Sequence, residues 1–550
     1  MMLKTSLCRI VNLLIIAAFL CGMFTSCAKK TDDGTGYLFT CTLSGNPECL
    51  DPQYTENQNA QIVMEAILEG LLRLDETGSI LLAGAESYQV SENGLLYEFK
   101  LRNDCKWVSA DTEEKNAKPV TSLDYVFAFQ RLLSPETHAP HAEEFLCIKN
   151  ASAVLNGQVK PQKLGVSAPD GATVIFELEY PETDFLYLLT QTCAAPCNQD
   201  FFLSTNGRYG LDDKTILCNG AFCLSKWAYD NYGSGNFLTF RKNKFYHDAD
   251  SVSPSNLQFT IMRSQKEADE DFAQGNSDAI LTNTYPAKYI NSKNYTVKNS
   301  CTKTIGLIFN PDNKILRNQT FRQALAYGIH RDAYAAQLSG NLQPASGLIP
   351  PAVQLLGRPY RELYADEPLS LPYSPEQAVQ CFAEALASVP ANEINNLKIL
   401  LPDSFSDTQT ILSVCQEWQD LSGHYIGIET VSYKEYEARL EAGEYAMALY
   451  SFETPRNSCY ASLQAFLSNA EKFGIAANNA DMLLAALSGE ASPSDKVALY
   501  GQTEKAILEN LCFLPLFYQN LYLIYRSENT DIFPKPFTHS IDFRKAKHFK

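Results

Sequence analysis

This 550-residue sequence contains two closely spaced pairs of cysteines, and their spacing is compatible with a metal-binding site. Three residues separate Cys193 from Cys197, four separate Cys218 from Cys223, and about twenty lie between the pairs. Structural zinc takes four thiolate or imidazole ligands, commonly in pairs two to four residues apart. Pro196 interrupts the first pair, and the same thiols could form a disulfide or stay free in the core. We favour free buried thiols over a disulfide and a disulfide over zinc, and predict neither a metal nor a cofactor.

A second group of potential ligands combines two histidines with two glutamates. His138 and His141 precede Glu143 and Glu144, and imidazole and carboxylate groups are common metal ligands. Pro140 lies between the histidines and breaks the helical spacing that would bring both rings together. The sequence therefore predicts an exposed loop here.

Sequence signatures of the common enzyme classes are absent from the chain. We find no GxSxG nucleophile elbow, no HExxH zinc motif, no GxxxxGK[ST] phosphate loop and no GxGxxG dinucleotide fingerprint. With 63 aspartates and glutamates, a pair of acids for a glycosidase can always be nominated, so a pair without a local signature carries no weight. We predict that the protein is not an enzyme, and a hydrolase is the least favoured class.

The N-terminal residues indicate an exported chain. Lys4 and Arg9 accompany an apolar run from residue 10 to residue 24, which suits a signal peptide and is shorter than the roughly 18 residues of a membrane span. The run ends in the letters FTSC, and this resembles a bacterial lipobox in which Cys27 is lipidated. A plain secretory signal with an incidental cysteine is the alternative. We predict a signal peptide over 1–26, a lipidated Cys27, and a flexible tether over 27–36.

Composition and charge limit the partners and the number of domains. The formal charge is −18, and it becomes about −20 if Lys4 and Arg9 are removed with the signal. This acidic balance argues against nucleic acid as a partner, because phosphate binding needs clustered lysines and arginines. The 524 residues that start at Cys27 are too many for one ordinary core, and 45% hydrophobic residues is a globular value. Two or more domains are therefore expected.

Short strands and helices alternate along the predicted chain, which is typical of an α/β fold. Residues 37–43 predict a strand, and apolar residues at helical spacing predict a helix over 59–72. Asn93-Gly94 indicates a hairpin, and Thr121 or Ser122 can cap the following helix. Late in the chain, residues 513–526 read as two apolar strand-like runs that need earlier partners.

A series of short segments, taken in order, resembles bacterial extracellular solute-binding protein family 5, the peptide/nickel class of binding lipoproteins that serve ABC importers. Each segment is weak evidence alone, but their shared order is strong evidence, and together they span about residues 37 to 545. The segments are LDP (50–52), ILEGLL (67–72), NGLLYEFKLRNDCKW (93–107), VTSLDYVFAFQRLLSP (120–135), NGAFCLSKW (219–227), FAQGNSDAILT (272–282), FRQALAYGIHRDAY (321–334), YSPEQAVQCFAEA (373–385) and LENLCFLPLFYQNLYLIYR (508–526).

The resemblance implies an α/β fold, the two-lobed, type II-like clamshell of periplasmic binding proteins, with an extra domain inserted in the first lobe. Lobe I would combine 37–75, 200–300 and 515–550; inserted domain II would span 76–199, and lobe III 301–514. In this family the lobes close over a ligand by a hinge motion and perform no chemistry on it.

The resemblance also implies partners and a location. Oligopeptides, or a related small solute, would be captured between the lobes and delivered to the permease subunits of an ABC transporter. A non-peptide cargo and a sensory receptor of the same fold are the alternatives. The protein is expected to be a monomer, held by its lipid on the extracytoplasmic face of the cell membrane, at the cell surface or in the periplasm.

The resemblance directs attention to the segment ALYSFETPRNSCY, residues 448–460. Peptide-binding members carry an aspartate here that pairs with the amino terminus of the peptide, but this chain has Pro455 at that position. Glu453 could supply the missing carboxylate, or could be a solvated loop residue. Arg456 could face an anionic group of a different cargo.

Aromatic and amide side chains complete the predicted ligand-binding set. Tyr450, Phe452 and Tyr460 are predicted to form cleft wall, and Tyr285 is predicted to reach the ligand from lobe I. Asn46, which follows the first strand, is included with them. Core packing is the alternative for the aromatic residues.

Overall fold

A computed structural model of the chain describes residues 37–548 apart from short gaps, which lie at 77, 110–115, 234, 336–337, 339, 365–370, 388, 468–473, 476–481, 484–486, 488–492 and 539. The predicted signal peptide, the predicted lipidation site Cys27 and the predicted tether over 27–36 lie outside the described residues.

Strands and helices alternate through the described chain. The strands are β1 (Tyr37–Leu43), β2 (Leu72–Leu74), β3 (Ile80–Leu82), β4 (Ala85–Val90), β5 (Leu96–Leu101), β6 (Lys106–Trp107), β7 (Lys118–Pro119), β8 (Val166–Asp170), β9 (Thr173–Glu177), β10 (Phe222–Ala228), β11 (Phe237–Lys242), β12 (Pro254–Ile261), β13 (Ala279–Thr282), β14 (Tyr295–Phe309), β15 (Leu342–Pro344), β16 (Gln354–Leu355), β17 (Arg358–Pro359), β18 (Lys398–Pro402), β19 (Gly427–Val431), β20 (Met447–Glu453), β21 (Phe513–Arg526), β22 (Asn529–Thr530), β23 (Phe533–Lys535), β24 (Ser540–Asp542) and β25 (Lys547–His548).

The helices are α1 (Gln58–Ile67), α2 (Ser122–Leu132), α3 (Ala151–Leu155), α4 (Phe185–Leu188), α5 (Gln199–Ser204), α6 (Gln265–Ala273), α7 (Gln319–Tyr327), α8 (Arg331–Ala335), α9 (Tyr360–Leu363), α10 (Pro375–Leu386), α11 (Ala391–Ile394), α12 (Thr408–Ser422), α13 (Tyr433–Ala442), α14 (Cys459–Leu467) and α15 (Pro493–Glu509). Short 3-10 turns occur at Pro135–Thr137, Ala142–Phe145, Pro161–Lys163, Thr192–Ala194, Ala249–Ser251 and Pro536–Thr538. Among the described residues, no helix has the length and apolar character needed to cross a membrane.

One eleven-stranded sheet connects the two ends of the molecule, in the order β10-β11-β12-β1-β13-β21-β14-β20-β18-β19 with β15 beside β21. In this spatial order, the strands on the β13 side of the β21–β14 pair belong to one lobe, called lobe I below. The strands on the β20 side belong to the other lobe, called lobe III. Strands β14 and β21 are long antiparallel partners. Residues 295–300 of β14 pair with the part of β21 that also pairs with β13, and residues 303–308 of β14 pair with both β21 and β20. They therefore belong to both lobes, and the predicted two-lobed α/β fold is confirmed.

A separate four-stranded antiparallel sheet, in the order β4-β5-β9-β8, packs against α2. We refer to residues 85–199, which contain this sheet, as the small-sheet region. A continuous hydrophobic core joins this region to lobe I, since Phe99 and Phe176 of the small sheet belong to the same buried cluster as Phe39 and Phe259 of lobe I. Lobe III has two cores of its own. The predicted domain boundaries stay predictions.

Local sequence explains where the first helices begin and end. The side chain of Asn57 accepts a hydrogen bond from Ala60 N and caps α1. The helix ends at Ile67, earlier than the predicted residue 72, because Leu68 is already extended. The predicted strand over 37–43 and the Thr121 cap are confirmed; Thr121 N donates to the Asp124 carboxylate at 2.8 Å. Residues 513–526 form one strand rather than two runs.

The cysteines of the described chain are free thiols, and most of them are buried. Cys193, Cys197, Cys218 and Cys223 are each at most 3% exposed. Within the described residues, no group of three or more histidine, cysteine, aspartate or glutamate side chains is arranged to hold a metal ion.

Candidate ligand cleft

A cavity of about 260 Å³ lies where lobe I, the small-sheet region and lobe III meet. Its wall is formed by residues of all three parts, namely Glu56, Gln58, Gln61, His141, Glu144, Gln191, Thr192, Cys193, Glu453, Thr454, Pro455, Phe537 and Thr538. A smaller cavity of about 80 Å³ shares Phe537 and Thr538 and continues towards Gln354 and Asn457. Glu453 and Pro455, from the segment that the family resemblance indicated, are thus brought to a cavity between the lobes.

Glu453 ends strand β20 and lines this cavity. Its backbone neighbour in the sheet is Lys303 of β14. Thr302 Oγ1 donates to Glu453 Oε1 at 3.1 Å, and Lys303 Nζ lies 3.4 Å from Oε2. The crossing strand β14 therefore fixes the direction of the carboxylate, while 36% of the side chain stays exposed. Its role in ligand binding stays a prediction.

Arg456 is almost fully buried, at 6% exposure, and is surrounded by carboxylates of the small-sheet region. Its Nε lies 3.1 Å from Asp184 Oδ2, and its Nη1 lies 3.4 Å from Glu144 Oε2. The structure thus gives this guanidinium two partners within the protein itself. The predicted contact of Arg456 with an anionic cargo stays a prediction.

Glu144 is the centre of a polar network beside the cavity. Its Oε1 lies 2.9 Å from His141 Nδ1, and its Oε2 accepts a hydrogen bond from Gln191 Nε2 at 2.8 Å. Burial alone would lower the pKa of His141, but the hydrogen bond to Glu144 and the charges of Glu144 and Glu56 raise it. Burial alone would raise the pKa of Glu144, but His141, Gln191 and Arg456 together lower it. Both groups are therefore stabilised in their charged forms.

The predicted exposed loop is correct for one part of the His138–Glu144 segment and wrong for the other. His138 and Glu143 are exposed, whereas His141 and Glu144 line the cavity. The 3-10 turn Ala142–Phe145 explains the difference, because it brings His141 and Glu144 onto the same side at a spacing of three residues. The spacing of three residues could have indicated that His141 and Glu144 pair, but the sequence did not show which part of the molecule the pair would face.

Three aromatic residues of the predicted set, Tyr450, Phe452 and Tyr460, lie in or against the core of lobe III. Phe452 and Tyr460 are each 7% exposed, and the Phe452 ring packs edge-on against Phe466 at 5.9 Å. Tyr450 packs against the same core. Their predicted positions on the cleft wall stay predictions.

Asn46 and Tyr285 lie elsewhere in the described structure. Asn46 Oδ1 accepts a hydrogen bond from Trp227 Nε1 at 3.1 Å, and its carbonyl oxygen accepts one from Asn57 Nδ2. Tyr285 is 43% exposed, lines a different cavity of about 290 Å³ beside α6, and packs edge-on against Tyr522. The structure does not bring these two residues to the wall of the 260 Å³ cavity.

Comparisons with known proteins agree with the fold. The model of the bacterial extracellular solute-binding proteins, family 5, matches residues 81–474. The probable deoxycholate-binding periplasmic protein YgiS of Escherichia coli is 25% identical over 498 residues, which cover 88% of each chain. The oligopeptide-binding protein SarA of Streptococcus gordonii is 26% identical over 399 residues, which cover 65% of this chain and 59% of SarA.

Solved structures share the architecture over nearly the whole chain. The pheromone receptor PrgZ, described with its mode of peptide binding, matches with a TM-score of 0.74 and 23% identity, covering 94% of this chain and 100% of PrgZ. Listeria monocytogenes OppA bound to peptide matches with a TM-score of 0.73 and 21% identity, covering 94% of this chain and 99% of OppA. From the family match and the two-lobed fold together, this chain belongs to the bacterial extracellular solute-binding proteins of family 5.

Proposed function

We propose that this protein captures oligopeptides, or a related small solute, between its two lobes and delivers them to the permease subunits of an ABC transporter. The observation that carries the proposal is the carboxylate of Glu453, which faces a cavity between the lobes and is held by the crossing strand β14. The family match supports solute capture, and the relative SarA is an oligopeptide-binding protein.

The chemistry of the cavity suits the amino terminus of a peptide. Thr302 and Lys303 already hold the Glu453 carboxylate, so the loss of side-chain entropy that opposes a new ion pair is small. A hydrogen bond between an ammonium and a carboxylate is about twice as strong as one between neutral groups. The remaining wall offers amide and hydroxyl groups, which bind a peptide backbone directly or through water.

A non-peptide cargo is the second candidate, and the relative YgiS favours it because it is described as a probable deoxycholate-binding protein. A steroid acid needs a broad apolar wall and a cationic partner. The cavity here instead carries the carboxylates of Glu56, Glu144 and Glu453. These negative charges support a peptide, whose amino terminus is positively charged, over a steroid acid, whose carboxylate they would repel. A sensory receptor of the same fold would bind its ligand in the same way and differ only in its partner.

The proposal includes a location and excludes turnover. The sequence FTSC at 24–27 supports lipidation of Cys27 and attachment to the extracytoplasmic face of the cell membrane. We propose that the protein works there as a monomer and releases its cargo unchanged, because the family consists of solute-binding proteins.

Native mass spectrometry of the freshly purified protein tests the proposal directly. We expect one bound peptide per chain, an increase in melting temperature when that peptide is added back, and no change in the peptide on incubation. A protein that is empty, and that no member of a library of short peptides stabilises, would contradict the peptide assignment. A bound non-peptide solute would support the second candidate.

Substitution of Glu453 tests the proposed anchor. Removal of one charge-assisted hydrogen bond costs about 1.5–3 kcal/mol, so Glu453→Gln is expected to weaken binding of a free-amine peptide about 10- to 100-fold. The acetylated form of the same peptide is expected to lose little further affinity. Glu429→Gln is the matched control, since Glu429 pairs with Arg439 on the surface of lobe III. Equal losses for the free and acetylated peptides in Glu453→Gln would refute the assignment.

A further inference from the structure

We infer that Arg456 determines cargo size: its ion pairs with Asp184 and Glu144 close one side of the cleft and restrict the cargo to short peptides. The inference rests on the proposed function, because it concerns the length of peptide that the same cavity accepts. Arg456 acts here as a positioning residue, whose charge is used within the protein rather than on the cargo.

The acceptors of Arg456 are fixed in the small-sheet region. Asp184 is 4% exposed and precedes α4; its carbonyl oxygen accepts from Leu188 N, and its own N–H donates to the Glu182 carboxylate. Glu144 is held by His141 and Gln191, as described above. The Glu144 carboxylate cannot follow a moving guanidinium without breaking its contacts with His141 and Gln191, and the backbone hydrogen bonds of Asp184 limit how far its carboxylate can move.

The small-sheet region is in turn attached to lobe I. Arg131 of α2 contacts both carboxylate oxygens of Asp51, and the Gln53 amide donates to the carbonyl oxygens of Cys193 and Ala195 at 3.0 and 3.1 Å. The shared hydrophobic core adds to these polar contacts. Arg456, which belongs to lobe III, therefore links two bodies that must separate when the cleft opens.

The loop that carries Arg456 is equally well fixed on the side of lobe III. Thr454 N donates to Thr302 O at 3.0 Å, and Asn457 Oδ1 accepts from Gln354 N at 2.7 Å. Ser458 Oγ accepts from Ala461 N at 3.1 Å, in the first turn of α14. Because both ends of the ion pair are anchored, its formation fixes the distance between the lobes beside Glu453.

The space that remains supports the restriction on length. The cavity of about 260 Å³ lies below the roughly 300–1,000 Å³ of sites that enclose drug-sized ligands. A peptide of about two or three residues can be enclosed by such a site and its small extension. A longer peptide that extends on the side of Arg456 requires that the buried ion pairs of Arg456 be broken.

Binding of an alanine series to the full mature protein tests the inference. The wild type is expected to bind dialanine and trialanine at least about tenfold more tightly than hexaalanine. Arg456→Ala is expected to reduce this ratio to within about threefold, while Arg456→Lys retains most of it. Arg439→Ala is the matched control, because Arg439 pairs with Glu429 of the same lobe, on the surface of lobe III. This variant is expected to keep the wild-type ratio. Asp184→Asn, which changes the opposite side of the same ion pair, is expected to act like Arg456→Ala.

Small-angle X-ray scattering without cargo separates this inference from the proposed function. Arg456→Ala and Asp184→Asn are expected to increase the radius of gyration of the cargo-free protein, and Arg439→Ala is not. If the wild type binds no peptide of any length, the proposed function fails. An unchanged radius of gyration in both Arg456→Ala and Asp184→Asn would overturn the claim that these ion pairs close the cleft. A wild type that prefers hexaalanine, or folded Arg456→Ala and Asp184→Asn variants that keep the wild-type length ratio, would overturn the restriction on length.

Discussion

At the scale of single residues, the carboxylate of Glu144 connects three parts of the cleft. It contacts His141 in its own turn, Gln191 on the next segment of the small-sheet region, and Arg456 of lobe III. Each contact favours the charged carboxylate over the neutral acid. Glu56 adds a further negative charge to the surroundings of His141. The positive charge of protonated His141 therefore offsets the repulsion between the carboxylates of the cavity wall.

This network predicts a pH-dependent contribution of His141 to stability. The pKa of His141 is raised in the fold, so its contribution is fully present below the ordinary value of about 6.5 and is lost as the pH rises through the raised pKa. The pKa of Glu144 is lowered, so its contribution is present above about 4.5 and is lost as the pH falls through the lowered pKa. The melting temperature of wild type should exceed that of His141→Gln most at about pH 5.5 and least at about pH 8.5.

Differential scanning calorimetry at these two pH values measures the difference. His138→Gln is the control, because His138 is exposed and belongs to the same segment. A difference between wild type and His141→Gln that stays constant from about pH 5.5 to about pH 8.5 would contradict the role of the histidine charge.

At the scale of elements, the crossing strands β14 and β21 position the predicted anchor. Pro515 lies inside β21 and has no N–H to donate, and the ladder shifts register beside it, where Gly306 of β14 is opposite. A second shift falls between Ser300 and Lys303, and this stretch includes Thr302, which donates to Glu453. The second shift lies between the part of β14 that adjoins lobe I and the part that pairs with β20 of lobe III.

Gly306 is expected to tolerate no side chain at this crossing. A Cβ there would lie 2.3 Å from Leu514 O and 2.5 Å from the Phe513 ring. Gly306→Ala should therefore destabilise the protein by about 1–3 kcal/mol, measured as a lower urea midpoint. Gly171→Ala is the control, since no atom lies within 4 Å of a Cβ at Gly171, and its effect should stay within about 0.5 kcal/mol. Equal midpoints for the two variants would show that the crossing can relax.

At the scale of the whole molecule, capture requires that the two lobes move and that the protein stay near its transporter. The lobes share two long strands and otherwise meet at the cleft, which suits a hinge motion. A formal charge of −18 favours solubility and opposes binding to nucleic acid. Attachment by a lipid would leave this body free to rotate on a short polar tether.

Lipidation predicts a clear change in cell fractionation. Two acyl chains hold a protein stably on a bilayer, and a chain with Ser in place of Cys27 would lack them. Cys27→Ser should therefore move the protein from the membrane fraction to the soluble extracytoplasmic fraction, detected by immunoblotting. Cys49→Ser is the control, as Cys49 lies beyond the predicted signal and tether. Retention of Cys27→Ser in the membrane fraction would contradict lipidation at this residue.

The sequence predicted the fold and the segment that carries the candidate site, but it did not predict the contacts between the side chains of that site. The order of motifs led to the two-lobed α/β fold, and Glu453 and Pro455 do line a cavity between the lobes. The same reasoning proposed Arg456 for a cargo anion and assigned His141 and Glu144 to an exposed loop. It failed to find Asp184 as a partner, because no periodicity or spacing connects residues 272 positions apart.

The sequence by itself determined the class of protein, because hydrophobic periodicity, caps and turn residues act over a few neighbouring positions and recur in the same order throughout a family. Only the tertiary structure decided which side chains meet at the cleft. Whether Arg456 meets a cargo or a carboxylate of the protein depends on burial and on distances between side chains 272 and 312 residues apart. Charges are paired where the folded chain removes water from them, and the folded chain alone fixes those places.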